Sequence, residues 1–490
     1  MSQTVAVPLW LLVILVALAA AAALEWLLLP SVRWYLRRKV DRVIREINVR
    51  FNIELPAFKL TRRRALIERL FHDPKVQAAA EAHAAEKNVP LKLARQRADF
   101  YAREIVPAFN AYLYFRVGYW LAKRSAQFLY RVRLGYTDAD SLRAINPKST
   151  VVFVMNHRSN MDYVLVAFLA AERVALSYAV GEWARVWPLQ SLIRAMGAYF
   201  VHRNSGDPLY RTVLQRYVQM ATEGGVPQAI YPEGGLTLDG RLRPPKLGLL
   251  DYMLRAFDPQ AERDIVFIPV GINYDRVLED RTQLGKLAAE RAHHGLAHVI
   301  ATTAGFVSKQ FVNLLRGRWY RMGYACVNFG RPISMRDYVR EHALDFRTLD
   351  DATRHAAVAE VGKKLMHEIG EVVPVLPVPL VASVLLGAAR PLDELELKSA
   401  VHERIARAEE KGAHVYIPRS DLDYAIGVGL RMLTLRRIAI ERDARFSANP
   451  DERATLAYYA NSIAHLTGET DATPHPAAIP APASLAARPA

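Results

Sequence analysis

The stretch Asn156-His157-Arg158-Ser159-Asn160-Met161-Asp162 holds a histidine and an aspartate five positions apart. A carboxylate bonded to one imidazole nitrogen fixes the tautomer and stabilises the imidazolium that forms when the other nitrogen takes a proton. Such a pair is a general base for activating a hydroxyl. On a straight helix five residues turn through about 500°, which leaves the two side chains roughly 140° apart. They meet only if His157 sits in a loop and the helix begins between them. Ser159 supplies that beginning, because as N-cap it places Asp162 at N3 in a Ser-x-x-Asp capping arrangement. The residues leave two readings open: an Asp162 that caps the helix, or one that turns toward the His157 ring. Taken alone, a histidine near a helix-capping aspartate is usually structural.

Three later stretches carry residue types that could join such a base. GAYFVHR, residues 197 to 203, reads as a short strand, Ala198 to Val201, that delivers Arg203. The planar fork of an arginine suits a phosphate, although a lone arginine after a strand is ordinarily a surface residue. IYPEGG, residues 230 to 235, breaks a strand at Pro232 and presents Glu233, Gly234 and Gly235. Glu233 could accept a hydrogen bond from a substrate hydroxyl, and paired glycines let backbone N–H groups approach a ligand. A plain Gly-Gly turn is the simpler reading. Arg241, Arg243 and Lys246 follow and add positive charge. VFIPVGINYDRV, residues 266 to 277, reads as a buried strand interrupted at Pro269, a sign of a bulge or strand end. It could shape the wall of an acyl or acceptor site.

The elements that must position these residues follow from the hydrophobic pattern. From about residue 148, short apolar runs such as 151–155, 228–231 and 265–270 alternate with longer helical patterns. Strands separated by helices predict an α/β fold with a mostly parallel or mixed sheet flanked by helices, and sites on such sheets gather beyond the strand ends. We divide the chain into an N-terminal membrane anchor (1–30), a basic helical region (31–147), the α/β domain (148–345), a helical C-terminal region (346–466) and a disordered tail (467–490) rich in Ala and Pro. Residues 6 to 29 carry Glu25 as their only charge and are long enough to cross a bilayer. Arg33 to Arg64 contribute eleven Lys and Arg against three acids, which suits contact with anionic membrane lipids and, beside an apolar segment, argues against nucleic acid. The positive-inside rule then places the α/β domain on the cytoplasmic side, in a bacterium at the inner membrane. Residues 111 to 133 mix aromatic and basic residues and read equally as an interfacial helix or an aromatic core helix. VVPVLPVPLVASVLL, residues 372 to 386, contains three prolines and reads as an apolar connector, poorly helical at its start. The single cysteine, Cys326, excludes an intrachain disulfide and a cysteine-based metal site. No Gly-x-Ser-x-Gly, His-Glu-x-x-His or Gly-x4-Gly-Lys motif occurs.

Taken together and in order, the four blocks resemble the glycerol-3-phosphate acyltransferase family of bacteria and mitochondria. KLGLLDY after the Gly-Gly loop, NFGRPIS at 328 to 334 and AYYANSIAHL at 457 to 466 extend the resemblance over roughly residues 95 to 466. The resemblance implies acyl transfer from an acyl thioester, acyl-CoA or acyl carrier protein, to the first hydroxyl of sn-glycerol 3-phosphate, giving lysophosphatidic acid without a metal or cofactor. It makes His157 the general base and Asp162 its partner. It places Arg203, Glu233 and Gly234 on acceptor-binding positions, with Pro269 marking the fourth block. Arg203, Arg241 and Lys246 could together hold a phosphate dianion, with Arg158 a weaker candidate, and Ser159 and Gly235 join the substrate-binding candidates. The sequence departs from the family at Leu236 and Leu238, where an arginine-containing stretch is usual, and at Asn160, where bacterial enzymes often have histidine. These departures bear on the acceptor and leave two alternatives: lysophosphatidate or dihydroxyacetone phosphate as acceptor, or a membrane lipid-binding protein without catalysis.

Overall fold

The computed structural model describes residues 56–170, 175–181, 189–202, 205–288 and 321–468. After a single helical turn, Ala57–Leu60, come three helices: α1 (Arg63–Phe71), α2 (Pro74–Lys87) and α3 (Leu91–Ile105). Local chemistry sets the ends of α2. Asp73 accepts from the Lys75 N–H, Pro74 occupies the first turn, and Asn88 closes the helix in the left-handed region at φ 52°. A π-helical turn, Leu113–Gly118, runs into α4 (Tyr119–Leu129).

The strands of the main sheet are β1 (Arg131–Thr137), β2 (Thr150–Met155), β3 (Ser177–Val180), β4 (Tyr199–Phe200), β5 (Gln228–Ile230), β6 (Ile265–Tyr274), β7 (Tyr324–Phe329) and β8 (Ile333–Ser334), and a small antiparallel sheet of Leu392–Asp393, Ala439–Arg442 and Arg445–Ala448 lies in the C-terminal region. Strands β1 to β8 form one mixed sheet in the order β1-β7-β6-β2-β5-β3-β4, with β8 also pairing β6. Every pair in it is parallel except β6–β7 and β6–β8. The central strands are continuous apolar runs because both faces are covered: all ten residues of β6 and all six of β7 are buried. Helix α5 (Met161–Ala170) and α4 cover one face, and α6 (Pro208–Glu223) and α7 (Asp351–Glu371) cover the other.

Four expectations change. Strand β1 lies inside the stretch expected to be helical. It is an edge strand, mostly exposed, and its alternating basic residues hide the apolar signature of a strand. Strand β6 runs unbroken through Pro269. The Pro269 carbonyl accepts from the Gly330 N–H at 2.8 Å, so its nitrogen also faces the β7–β8 side. There β8 pairs with Val266 and Phe267 and β7 begins at Val270, so the missing N–H falls in the gap between two partners. The third correction concerns the membrane-crossing helix included in the fold. Among the described residues no helix is long and apolar enough to cross a membrane. The N-terminal segment expected to do so, residues 1–30, lies outside the described residues, as do residues 469–490 of the expected disordered tail.

Residues 372–386 are a central element of the C-terminal region and not a connector. Pro377 starts helix α8 (Pro377–Gly387), in which Pro377 to Leu385 are all buried. Helices α9 (Glu394–Glu410), α10 (Leu422–Leu435) and α11 (Arg453–Asn461) surround it. Proline at the first helical position costs nothing, since its N–H would have no intrahelical partner. Asp275, just past β6, accepts from the Val378 N–H at 3.1 Å and the Tyr324 N–H at 2.8 Å, which fastens this helix to the sheet. Burial pushes the Asp275 carboxyl up to about 7, against the pull of those two N–H groups.

A second tie joins the sheet to the C-terminal region. Asp280 accepts from Arg436 at 2.5 Å and from the Tyr459 hydroxyl at 2.6 Å, and Arg436 also donates to Tyr459 at 2.7 Å. Arg436→Met leaves a buried carboxylate with one partner fewer. It is expected to cost about 3–5 kcal/mol in chemical denaturation, the usual penalty for breaking a buried pair from one side.

Candidate active site

Strands β2, β5 and β6 run parallel, with Met155 beside Val270 and Val154 beside Ile230. Their carboxyl ends therefore bring together the loops after Met155, after Ile230 and along the end of β6. Asn156 locks the first of these. Its side chain donates to the Ile272 carbonyl at 2.9 Å and accepts from the Ile272 N–H at 2.8 Å. The next residue, His157, is thereby fixed at the strand end.

Helix α5 begins at Met161, so His157 is in the loop and the spacing argument holds. Asp162 performs both roles left open by the sequence. Its Oδ2 lies 2.9 Å from His157 Nδ1 and also accepts from the N–H groups of Arg158 at 2.7 Å and Ser159 at 3.1 Å. Its Oδ1 accepts from the Tyr274 hydroxyl at 2.6 Å. An ionised carboxylate only accepts, so Nδ1 carries the proton and the Nε2 lone pair is left for a substrate. The ring lies against Tyr231, with centroids 4.1 Å apart, and meets Tyr163 edge-on at 5.4 Å.

Ser159 and Asn160 are held from a second direction. Ser159 accepts from the Met161 N–H at 3.1 Å, as a capping serine does, and donates its hydroxyl to Glu279 at 2.7 Å. Asn160 donates to the same carboxylate from its backbone at 3.2 Å and from its amide at 3.0 Å. Burial raises the Glu279 carboxyl above the usual range, opposed by the Ser159 and Asn160 bonds. Tyr274 and Glu279 escape a sequence reading because they have no regular spacing to His157. Tyr274 follows Pro269 in the same block and Glu279 lies two residues beyond its end, which was the only available signal.

Glu233 is buried beneath the pair. Oε1 accepts from the His157 N–H at 2.8 Å, and Oε2 accepts from the Arg243 N–H at 3.1 Å. Burial pushes its carboxyl up to about 7, with the His157 N–H, the charge of Arg158 and the Arg243 N–H pulling the other way. Gly234 takes φ +68°, and a Cβ there would stand 2.5 Å from Lys246 Cδ, so the glycine gives the lysine stem its place. Lys246 is exposed, and its N–H is bonded to the Pro232 carbonyl at 2.8 Å. Gly235 is buried in the same turn. Thr237, between the two unexpected leucines, donates its N–H to the His157 carbonyl at 3.0 Å. Leu236 uses its carbonyl to accept from Arg243 at 3.3 Å.

The remaining candidates divide. Pro269 sits beside Val154 on β6, one strand from the histidine loop. Arg158 is 2% exposed and points into the C-terminal region, donating to the carbonyls of Gly240 and, at 3.1 Å, Ser462. Arg203 lies outside the described residues; its neighbour His202 is bound to Glu104 of α3 at 3.1 Å. The structure thus gathers His157, Asp162, Ser159, Glu233, Gly234, Gly235 and Lys246 around one strand-end cluster.

Two outcomes test this network. Tyr274→Phe removes one bond to a buried carboxylate and is expected to cost about 1–3 kcal/mol in denaturation. The raised Glu233 gives a pH signature. Between its ordinary value and about 7 the folded state holds a proton that the unfolded state has lost, so stability falls as pH rises through that window and levels off above it. Glu233→Gln should flatten that part of a denaturation series at successive pH values, by up to about 3 kcal/mol.

A family model described as "Acyltransferase" matches residues 136–273, and one described as "Glycerol-3-phosphate acyltransferase C-terminal region" matches residues 309–468. The chain is 29% identical over 424 residues to a glycerol-3-phosphate acyltransferase of Pseudomonas putida, covering 83% of this chain and 49% of that one. It is 28% identical over 448 residues to the enzyme of that name from Aeromonas hydrophila, covering 87% of this chain and 53% of that one. The chain spans about half the length of the curated relatives it matches. A crystal structure of the 1-acyl-sn-glycerophosphate (LPA) acyltransferase PlsC from Thermotoga maritima, 16% identical, covers 52% of this chain and 79% of that one with a TM-score of 0.29, too slight a likeness to carry an argument. In its acyltransferase region, in the C-terminal region that follows it and in the order of the two, the chain is similar to glycerol-3-phosphate acyltransferases.

Proposed function

We propose that this chain moves a fatty acyl group from an acyl thioester to the first hydroxyl of glycerol 3-phosphate, giving lysophosphatidic acid. The observation that carries this reading is the His157 Nδ1–Asp162 contact of 2.9 Å, made by a carboxylate already held by two backbone N–H groups and a tyrosine. That support fixes the ring and leaves Nε2 as the base. Nε2 takes the hydroxyl proton as the oxygen attacks the thioester carbonyl. The tetrahedral intermediate then collapses, the carbon–sulfur bond breaks, and the proton on His157 goes to the departing thiolate. Either acyl-CoA or acyl carrier protein supplies a thioester with this chemistry.

Phosphate recognition falls to cations near the Glu-Gly turn. Lys246 is exposed and tied by its backbone to Pro232, so it is the first candidate for the acceptor phosphate, with Arg203 as the expected second. Arg158 acts from behind: its buried guanidinium braces the loop, and its charge helps keep Glu233 ionised.

His157→Ala is expected to abolish turnover of labelled glycerol 3-phosphate with an acyl thioester while the protein stays folded. Binding of both substrates with no turnover in the unaltered protein, unchanged by that substitution, would favour a lipid-binding protein instead. Lys246→Ala should raise the KM for glycerol 3-phosphate about tenfold and leave the thioester KM nearly unchanged, the mark of a lost ground-state contact to one substrate. A panel with lysophosphatidate and dihydroxyacetone phosphate in place of glycerol 3-phosphate checks the acceptor.

A further inference from the structure

The π-helical turn and α4 present two faces of opposite character. Tyr114, Gly118, Ala122 and Ala126 are buried at four-residue intervals. The outward stripe is Val117, Trp120, Leu121, Arg124 and Phe128, spaced as one face of a helix. Trp120 is 57% exposed, and Val117, Leu121 and Phe128 are each about two-fifths exposed. Four large apolar side chains along one exposed helix face form a patch that a water-facing helix does not need.

Charge indicates what covers the patch. No Asp or Glu occurs from residue 105 to 137, whereas Arg116, Lys123, Arg124, Arg131 and Arg133 all lie there. Arg116 and Arg124 are exposed beside the stripe, and the Arg124 guanidinium sits 5.9 Å from the Trp120 ring. A tryptophan, aliphatic and phenyl side chains at one level, in a stretch of sequence that carries five cations and no acid, match the acyl–headgroup boundary of an anionic bilayer.

We propose that the face made by Val117, Trp120, Leu121, Arg124 and Phe128 docks on an anionic lipid surface. Its position gives the contact a use. Helix α4 packs on α5, with Tyr119 6.0 Å from Phe168, and α5 carries Asp162 in its first turn. The docked surface therefore lies one helix away from the histidine–aspartate pair, where an acyl chain must arrive and leave.

The test uses the full chain and reads no turnover, so it stands apart from the assignment of the reaction. Cys326 is the only cysteine and is buried, so single probes can be introduced without removing it. Leu121→Cys and Phe128→Cys report on the face. Glu360→Cys reports on exposed α7, over the opposite face of the sheet. Each carries a fluorophore, and quenching by iodide is measured in vesicles of phosphatidylglycerol with phosphatidylethanolamine and in vesicles of phosphatidylcholine. Quenching at 121 and 128 is expected to fall about fivefold in the anionic vesicles relative to phosphatidylcholine, and the label at 360 to stay accessible in both. Arg116→Gln, Lys123→Gln and Arg124→Gln together should return the two labels to the phosphatidylcholine level. Equal, unhindered quenching of all three labels in both lipids overturns the proposal. So does shielding at 121 and 128 that is the same in both lipids and indifferent to the charge variant, which would assign the cover to another segment of the chain or to a second copy.

Discussion

The site depends on one buried carboxylate. Asp162 is fully buried, and an ionised group there is unfavourable unless its oxygens are satisfied. They are, by the Arg158 and Ser159 N–H groups, the His157 ring and the Tyr274 hydroxyl. The same bonds cap the first turn of α5, set the histidine tautomer and join the β2 loop to the end of β6. A helix start, the orientation of the histidine ring and a sheet contact therefore share a single group, and none of them can shift without the others.

Around that carboxylate the protein places charges where each one constrains a loop. Glu233 holds the His157 backbone from below and the Arg243 backbone from the other side. Arg158 leaves the site altogether and ties the loop to Gly240 and Ser462, so the C-terminal region supports the turn although it contributes no group to the pair. Gly240 is needed at its position because it adopts φ +90° and a Cβ would fall 1.9 Å from the Tyr458 carbonyl oxygen. Asp275 and Asp280 repeat the pattern farther along, each fastening the β6 end to a C-terminal helix.

Much of this could be read from the residues. The apolar runs at 151–155, 228–231 and 265–270 gave strands because continuous hydrophobic stretches suit a sheet covered on both faces. The His-x4-Asp spacing required a helix start between its members, and the helix does start there. Local cues failed where the deciding partner is distant. Strand β1 is an exposed edge with no apolar run, Pro269 is tolerated in a gap between two neighbouring strands, and the proline-rich 372–386 segment becomes a buried helix because three other helices enclose it.

The sequence by itself determined which chemistry is available: a histidine and an aspartate that meet across a helix start, a glycine-relieved turn carrying a glutamate, and the strand–helix rhythm that brings strand ends together. Those are properties of neighbours along the chain, set by backbone geometry and side-chain type. Only the tertiary structure decided what steadies them. Tyr274 stands 112 positions from Asp162, and Ser462 stands 304 positions from Arg158. A buried polar group takes whichever partner the packing brings within reach, and no local pattern encodes that choice.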